Sequence, residues 1–461
     1  MAFFIYISLL INYIVMNIKN ILYLTLVLFW SCTNETITIT PTDEDIIEEE
    51  IIEEEIIEEE IVETINPNPI GESAGTVEYL NKDLVDDNYI LINDAGNNFV
   101  FLMNKDANVL HQWNLKGGDL GNDGELLPNG KLLVMVESED PKILLGGFGG
   151  KIELMDKNGT VEWSFIHSTD DYILHHDAEM LPNGNVLIQT WERRTAEESI
   201  EFGYKMDIQL YPDGIIEVNP TSNEIVWEWH MWDHLIQDFD ESKSNYGTIN
   251  ENPHLIDINY TQLDSGDISH ANGISYDANK DIIYLSANFY SEVWVIDHST
   301  STLEASSHTG GTYNKGGDLI FRFGNPTTYK NTTGERLFNN NHFPNLLKGE
   351  HAGNMLIFSN GADLNQSTVY ELKIPDNFSL ISNVNNEPEV VWSFTDTELY
   401  SPKVSGAVKL PNGNTLIAEG DFGIWEVTPS KEIVWKFQGD GFYWRAYSFS
   451  KNDPIILDIL Q

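Results

Sequence analysis

Cysteine is almost absent from this chain, which has a single one, Cys32, among its 461 residues. A disulfide within the chain is therefore excluded. Basic side chains are also scarce, since 25 Lys and Arg stand against 73 Asp and Glu, giving a formal charge of −48. So acidic a surface repels nucleic acids and anionic membranes, and we expect no nucleic-acid partner. An anionic small molecule can bind only where cations gather locally.

The first 32 residues are apolar and are set apart from the fold. Two hydrophobic runs, 1–14 and 21–30, flank Met16, which we interpret as the true start. From Met16 the segment resembles a bacterial lipoprotein signal that ends at Cys32. We predict lipidation of Cys32 and a place in the cell envelope, with the lipid anchor as the one contact with a membrane. A plain membrane anchor or an ordinary signal segment is the alternative.

Residues 33–76 are predicted to form a disordered acidic tether. Three copies of Ile-Ile-Glu-Glu-Glu run from 46 to 60. A five-residue period matches neither a helix nor a strand, and the like charges repel one another. We expect an extended spacer that holds the folded part, residues 77–461, away from a membrane surface.

Helical periodicity is scarce beyond residue 77, where the chain repeats two kinds of β-hairpin. The first kind contains Leu-Pro-Asn-Gly, at 127–130, 181–184 and 410–413. This motif predicts a hairpin because Asn and Gly tolerate the positive φ of tight turns. The second is a pair of strands, the later of which ends in Trp or Phe, and it occurs six times. Two hairpins make four strands, and a repeat of roughly 40 to 65 residues matches a propeller blade with insertions. We predict an all-β fold, a six-bladed β-propeller; a pair of β-sandwiches is the alternative.

Tryptophan ends the later strand of the second hairpin in most repeats. Its regular recurrence favours packing between neighbouring blades over ligand binding. The residues are Trp113, Trp163, Trp227, Trp392 and Trp435.

Histidine is rare, yet three successive repeats place one just ahead of the first hairpin: His176, His270 and His342. Ser405 stands at the corresponding place in a later repeat. In a propeller the innermost strand of each blade lines the central channel. We therefore expect these side chains to meet at the channel mouth. A lone histidine is usually structural, whereas three that converge indicate a site.

An insertion between the third and fourth blades spans residues 230–267. It starts with His230 and His234, which would share one face of a helix, as metal ligands can. A third ligand with a diagnostic spacing is missing. We interpret the insertion as an aromatic lid over the channel, and we predict no metal site.

Four motifs follow one another in a fixed order. They are His-His-Asp-Ala-Glu-Met-Leu-Pro-Asn-Gly-Asn at 175–185, Trp-His-Met-Trp-Asp-His at 229–234, Ser-Glu-Val-Trp-Val-Ile-Asp-His-Ser-Thr at 291–300 and Gly-Gly-Asp-Leu-Ile-Phe-Arg-Phe-Gly-Asn-Pro at 316–326. In this combination, over about residues 85–450, the chain resembles the arylsulfotransferase family.

The resemblance implies a six-bladed propeller enzyme that works without a cofactor. Such an enzyme moves a sulfuryl group from a phenolic sulfate ester to a phenol, through a channel histidine and without a nucleotide sulfate donor. A neutral imidazole is a competent nucleophile, and a second one can protonate the leaving phenolate. The motifs assign as catalytic His176, His270, His342 and Arg445, and as substrate-binding Asn272, Arg322, Ser405, His230 and His234.

The chain also departs from the family pattern. An arginine is expected after Gly361 and a histidine near 402–406, and this chain has neither. Arg445 or Arg322 could supply the cation, or could be a structural ion-pair partner. The alternative function is a non-catalytic propeller that binds a ligand or a protein at the cell envelope. A metal-dependent oxidoreductase or hydrolase ranks third, and a quinone-cofactor propeller last.

Overall fold

The computed structural model describes residues 70–461. The predicted signal segment, the predicted lipidation of Cys32 and most of the predicted tether lie outside these residues. Gly75 and Thr76, the last two residues of the predicted tether, already belong to the first strand. Within residues 70–461 there is no helix of sufficient length and hydrophobicity to cross a bilayer.

Regular structure in residues 70–461 is almost entirely β. The strands in chain order are β1 Gly75–Leu80, β2 Tyr89–Asp94, β3 Phe99–Met103, β4 Val109–Asn114, β5 Leu120–Leu126, β6 Leu132–Glu137, β7 Gly150–Met155, β8 Val161–Ile166, β9 Tyr172–Met180, β10 Val186–Glu192, β11 Asp213–Asn219, β12 Glu224–His230, β13 Leu235–Ile236, β14 Ile256–Asp257, β15 Ala271–Asp277, β16 Ile282–Ala287, β17 Glu292–Asp297, β18 Phe321–Phe323, β19 Asn341–Leu346, β20 Asn354–Ser359, β21 Thr368–Lys373, β22 Glu389–Phe394, β23 Gly406–Lys409, β24 Thr415–Glu419, β25 Gly423–Val427, β26 Ile433–Gly439 and β27 Tyr443–Phe449. The short α-helices are α1 Ala196–Glu201, α2 Thr302–Ala305 and α3 Pro454–Ile459, and single 3₁₀ turns lie at Met231–His234, Ile249–Glu251, Pro326–Tyr329 and Gly349–His351.

Most of these strands form antiparallel sheets in a propeller-like arrangement, which confirms the all-β prediction. Four sheets have the size of a single blade: β27-β2-β3-β4, β15 to β18, β19 to β22, and β23 to β26 with β1 added at the edge. The prediction of six separate blades is not met, because β5 to β12 form one eight-stranded sheet. A single parallel bridge between Asn122 and His176 joins its two halves.

The two ends of the described chain are held by strand pairing. The last strand, β27, pairs with β2, and the first strand, β1, pairs with β26. Each end of the fold therefore depends on residues from the opposite end, which is how a propeller-like arrangement avoids free edges.

The Leu-Pro-Asn-Gly hairpins form as predicted, with one difference in the role of asparagine. In the turn between β5 and β6, the Gly130 amide donates to the Leu127 carbonyl at 2.9 Å, and Gly130 has a φ of 82°. The Asn129 side chain instead accepts the Lys131 amide at 3.1 Å. Glycine thus supplies the left-handed backbone, while asparagine stabilises the turn through its side chain.

The recurring tryptophans connect neighbouring groups of strands, which confirms their predicted packing role. Each indole N–H donates to the turn that precedes the outermost strand of the next group. The pairs are Trp113 with the Asp156 carbonyl, Trp163 with Asn223 Oδ1, Trp227 with Thr300 Oγ1, Trp392 with the Pro429 carbonyl and Trp435 with the Lys105 carbonyl. The last pair links the C-terminal strands to the N-terminal ones.

Candidate active site

Two of the three predicted histidines lie where innermost strands begin, and the third lies at a bulge within its strand. His176 is in β9, His270 directly precedes β15, and His342 is the second residue of β19. The backbone there is left-handed at non-glycine residues, with φ of 54° at His176, 48° at His270 and 53° at Phe343. The strand pairing also shifts at these places, by two residues in β9 and by one in β15 and β19. Such bulges redirect side chains, and strained residues of this kind cluster at functional sites.

The bulged strand starts bring several predicted residues together. One small cavity of about 10 Å³ has room for about one water molecule. It is lined by His176, His342, Asn272, Ser405 and Arg445. His270 stacks edge-on against His176, with ring centroids 4.8 Å apart. The predicted convergence of the three histidines is therefore present in the structure.

His270 is oriented by a carboxylate. Its Nδ1 lies 2.5 Å from Asp267 Oδ2, and its backbone amide donates to Asp267 Oδ1 at 3.1 Å. The ring also stacks on Phe289 at 4.7 Å. Burial lowers the pKa of His270, but the charge of Asp267 and the hydrogen bond outweigh it, so the pKa is raised above 6.5. This arrangement holds a proton on Nδ1 and leaves Nε2 for proton exchange.

Asn360 fixes the tautomer of the His342 ring. The Asn360 amide nitrogen donates to the carbonyls of Ser401 at 2.9 Å and Val404 at 3.0 Å. The amide oxygen must then accept from His342 Nδ1 at 2.6 Å, so the lone pair is on Nε2. The Val404 amide donates to that Nε2 at 3.2 Å. Burial lowers the pKa of His342 to about 3.

His176 stands at the end of a buried polar chain. Its Nδ1 is 2.9 Å from His175 Nδ1, and His175 Nε2 is 3.1 Å from Asp213 Oδ1. The His175 ring stacks on Trp191 with centroids 3.8 Å apart. Burial, followed by the neighbouring histidines, lowers the pKa of His176 well below 6.5. His176 is therefore uncharged at neutral pH.

Arg445 is the one arginine that lines this cavity, and acidic groups offset its charge. Its Nη1 is 2.7 Å from Asp123 Oδ2 and 2.9 Å from Asp177 Oδ1. Its Nη2 also donates to the Asn272 carbonyl at 3.2 Å. The guanidinium lies over the Phe343 ring at 4.1 Å. Burial lowers the pKa of this guanidinium, but the charges of Asp123 and Asp177 outweigh burial and raise the pKa well above its usual value.

A second, larger cavity of about 780 Å³ shares Arg445 and Asp123 with the small one, so the ion-paired arginine separates the two. Its walls carry Glu125 and Glu179. Burial, followed by neighbouring carboxylates, raises the pKa of Glu125 to about 7 and that of Glu179 to about 8. Lys348 also faces this cavity. The large cavity is therefore acidic.

Arg322 does not reach the site, which corrects its assignment as a substrate-binding residue. It lies on β18 with no exposed surface. Its guanidinium donates to Glu292 Oε1 at 2.9 Å and to Thr328 Oγ1 at 3.1 Å. Arg322 is thus a structural ion-pair partner within its own sheet.

His230 and His234 also lie away from the cavity lined by His176 and His342. Their assignment as substrate-binding residues is therefore corrected as well. Met231–His234 is a 3₁₀ turn, in which residues four apart do not share a face. His230 bonds to Glu192 and lines a separate cavity of about 330 Å³. His234 is fully buried and bonds to Asp318. The prediction that His230 and His234 share one face assumed a regular α-helix, and it was wrong for that reason.

Several residues that orient the site carry no clear signal in the sequence. Asp267, Asn360 and Asp213 each support a histidine from 3, 18 or 38 positions away. Asn360 follows a strand and precedes a glycine, a place where an Asn-Gly turn is the ordinary interpretation. Asp213 begins a strand. Their roles depend on contacts within a loop or between strands of one sheet.

The arylsulfotransferase (ASST) family model matches residues 125–438. This chain belongs to the arylsulfotransferase family. The match covers the strands that carry all three histidines, and it confirms the resemblance seen in the motifs. Arg445 lies just beyond the matched residues.

Three solved structures similar to this arylsulfotransferase-family chain share little sequence with it. A protein of unknown function from Bacteroides caccae is 14% identical, with 79% of this chain and 99% of that chain covered and a TM-score of 0.44. The periplasmic gluconolactonase of Pseudomonas aeruginosa is 12% identical, with 79% and 99% covered and a TM-score of 0.37. The Cps50 (Swd1) β-propeller domain of Myceliophteria thermophila is 8% identical, with 81% and 89% covered and a TM-score of 0.36. No curated protein matches the sequence.

Proposed function

We propose that this protein is an aryl-sulfate sulfotransferase that transfers a sulfuryl group from a phenolic sulfate ester to a phenol. The proposal rests on two histidines beside His176: His342, whose Nε2 bears a lone pair, and His270, whose Nδ1 is oriented by Asp267. A nucleophile and an oriented acid–base group are the two parts that such a transfer needs.

In the first half of the proposed reaction, His342 Nε2 attacks the sulfur of the aryl sulfate. A nitrogen–sulfur bond forms as the bond from sulfur to the aryl oxygen breaks. The electron pair of that bond goes to the phenolate oxygen, which takes a proton from His270 Nε2. In the second half, His270 removes the proton of the acceptor phenol. The phenol oxygen then attacks sulfur, and the nitrogen–sulfur bond breaks, which regenerates His342.

Arg445 is the proposed cation for the sulfuryl oxygens, and Asn272, His176 and Ser405 complete the walls of the binding site. Asp123 and Asp177 hold the guanidinium in place beside the cavity. Substrate entry requires a local opening, because an aryl sulfate is far larger than a cavity of about 10 Å³. The left-handed strand start around Val404 and Ser405 is the proposed moving part, since the Val404 amide must release His342 Nε2.

The eight-stranded sheet is proposed to work as two blades, which would give six around the channel. Its halves, β5 to β8 and β9 to β12, are each four consecutive antiparallel strands, and the bridge between Asn122 and His176 is their one strand-to-strand link. The indole of Trp163 on β8 donates to Asn223 at the turn before β12, as in the other groups.

A lipid anchor at Cys32 in the cell envelope is also proposed, with residues 33–76 as spacer. The lone cysteine after an apolar run supports it. Expression of the full chain in a bacterium and fractionation of the cells test it. We expect the wild type in the membrane fraction and Cys32→Ser in the soluble fraction. An equal distribution of the two proteins would contradict the anchor.

The activity is tested by phenolate release from a chromogenic aryl sulfate, with and without an added phenol. Full-length protein is compared with His342→Ala and with His351→Ala, a control at a half-exposed histidine paired with Glu371. We expect release that depends on the acceptor in the wild type and the control, and none in His342→Ala. Folded wild type that releases no phenolate from a panel of aryl sulfates would overturn the proposal and favour a binding role.

A further inference from the structure

A group of potential metal ligands lies outside the channel, at His234, His308 and Asp318. It is the one group of three or more His, Cys, Asp or Glu side chains with suitably converging atoms within residues 70–461. His234 Nδ1 is 2.8 Å and His308 Nδ1 is 2.7 Å from the same oxygen, Asp318 Oδ1. None of the three residues lines the cavity that contains His176 and His342.

The hydrogen bonds of His234 determine which of its nitrogens can bind a cation. Nε2 lies 2.8 Å from the Ala305 carbonyl, which can only accept, so the ring proton is on Nε2. In the neutral ring, Nδ1 then points a lone pair at a carboxylate oxygen that is also an acceptor. Two acceptors cannot bond without a cation between them. Either a proton shared between His234 and Asp318 or a metal ion can join them.

The rest of the group favours a metal ion. A histidine that binds a metal commonly donates its other ring N–H to a carbonyl or carboxylate, as His234 does to Ala305. A second imidazole nitrogen, from His308, converges on the same point. Imidazole together with carboxylate suits Zn²⁺ and its neighbours in the first transition series. Tetrahedral ligands about 2.0–2.1 Å from zinc lie about 3.4 Å apart, so the contacts to Asp318 would lengthen by roughly half an ångström.

Burial and backbone give the group a rigid part and an open part. His234 is fully buried and stacks parallel to Trp229 with centroids 5.7 Å apart. The Trp229 indole donates to the Gly317 carbonyl, next to Asp318. A Cβ at Gly317 would lie 2.5 Å from His234 Nε2, so glycine permits this approach. The His308 side chain is 62% exposed, which leaves a path for the ion and room for a water ligand.

We propose that His234, His308 and Asp318 bind one transition-metal ion, best Zn²⁺, as a structural cross-link. The ion would join the turn Met231–His234, where the long insertion begins, to the segment between β17 and β18 that contains α2. The role is independent of the proposed transfer reaction. It also differs from the sequence expectation, which considered His230 with His234 and predicted no metal site.

Zinc titration of the full-length, chelator-treated protein by calorimetry tests the proposal. The variants are His308→Ala, which changes an exposed side chain, and Asp318→Asn, with His351→Ala as the matched control. We expect one tight equivalent of Zn²⁺ in the wild type and the control, and affinity at least about tenfold weaker in both variants. The acidic repeats at 46–60 are present in every variant, so weak binding to them cancels in the comparison.

Thermal unfolding with and without Zn²⁺ supplies a second measurement. Ligand that binds only the folded state raises the unfolding midpoint, so we expect a rise in the wild type and the control that His308→Ala lacks. If Asp318→Asn fails to fold, His308→Ala alone decides. Equal zinc affinity in the wild type and His308→Ala, or no tight equivalent in the wild type, would overturn the proposal and leave a proton shared between His234 and Asp318. Because no turnover is measured, this result is separate from the fate of the transferase proposal.

Discussion

The outer and innermost strands of this fold differ in how regularly their residues and backbone repeat. On the outermost strands, tryptophans recur at matching positions and bond to the next group of strands in the same way, from Trp113 to Trp435. On the innermost strands, the corresponding positions are irregular, with left-handed non-glycine residues and shifted pairing. Regularity therefore marks the packing surface, and irregularity marks the candidate site.

The difference has a physical reason. Neighbouring sheets pack in a similar way in every repeat, so a tryptophan at the same position makes the contact each time. A site needs different side chains to meet at one point, which requires local departures from the regular strand. The comparison predicts that changes at inner strand starts affect activity more than stability, and that changes on outer strands do the reverse.

The largest effect is expected at an inner strand start. His342→Ala removes the proposed nucleophile, so turnover should fall by about 10⁴-fold. The protein should keep its fold, because the ring makes two neutral hydrogen bonds, one to Asn360 and one from the Val404 amide. Phenolate release per folded molecule and circular dichroism measure the two quantities. Loss of the folded state with His342→Ala would place the residue with the packing groups instead.

The outer-strand counterpart is Arg322→Ala. Removal of the guanidinium leaves Glu292 buried without its partner, and we expect a loss of about 3–5 kcal/mol in the free energy of unfolding. Turnover per folded molecule should stay near the wild-type value. Chemical denaturation combined with the sulfate assay tests both. A loss of turnover without a loss of stability would restore Arg322 as a candidate for substrate binding.

Asp267→Asn should act on the inner side through His270. The carboxylate raises the pKa of His270, so its removal lowers that pKa. If His270 must be protonated to release the phenolate, kcat/KM for the donor falls as pH rises through this pKa. The descending limb should then move to lower pH in the variant, with turnover about 10²-fold lower. An unchanged pH profile would show that Asp267 has only a structural role.

Stability should depend on pH through Glu179, on the inner strand β9. Its folded pKa of about 8 lies above the unfolded value of about 4.5, so the folded state binds more protons between these values. Stability is therefore lost as pH rises from about 5 to 8. In Glu179→Gln, the free energy of unfolding should fall by about 1–2 kcal/mol less over this pH range than in the wild type. Denaturation curves at pH 5.5 and 8 measure this difference. An equal loss of stability in the wild type and in Glu179→Gln would contradict the raised pKa of Glu179.

The smallest effect is expected for Trp435→Phe on β26, the outer strand that pairs with the edge strand β1. The indole N–H bond to the Lys105 carbonyl is lost while most of the packing remains. We expect about 1 kcal/mol less stability and unchanged turnover. Denaturant unfolding shows the first and the sulfate assay the second. A large loss of turnover would contradict the conclusion that changes on outer strands affect stability more than activity.

Sequence reasoning reached the fold class and part of the site. His176, His270 and His342 were predicted from their place ahead of repeated hairpins, and the structure brings them together. Arg322 and His234 were misplaced, because a linear motif does not show which side of a sheet or turn a side chain faces. The blade count also differed, since the bridge from Asn122 to His176 depends on how closely two inner strands approach.

Repeated turn residues, alternating strands and recurring tryptophans are local properties, so the sequence by itself determined an all-β, propeller-like chain with histidines near the inner strand starts. Only the tertiary structure decided the protonation and partners of those histidines. Asp267, Asn360 and Asp213 act within a loop or between strands. Burial lowers the pKa of His342, whereas the Asp267 carboxylate raises that of His270. Such effects depend on desolvation and on distances between residues remote in sequence, which no local pattern encodes.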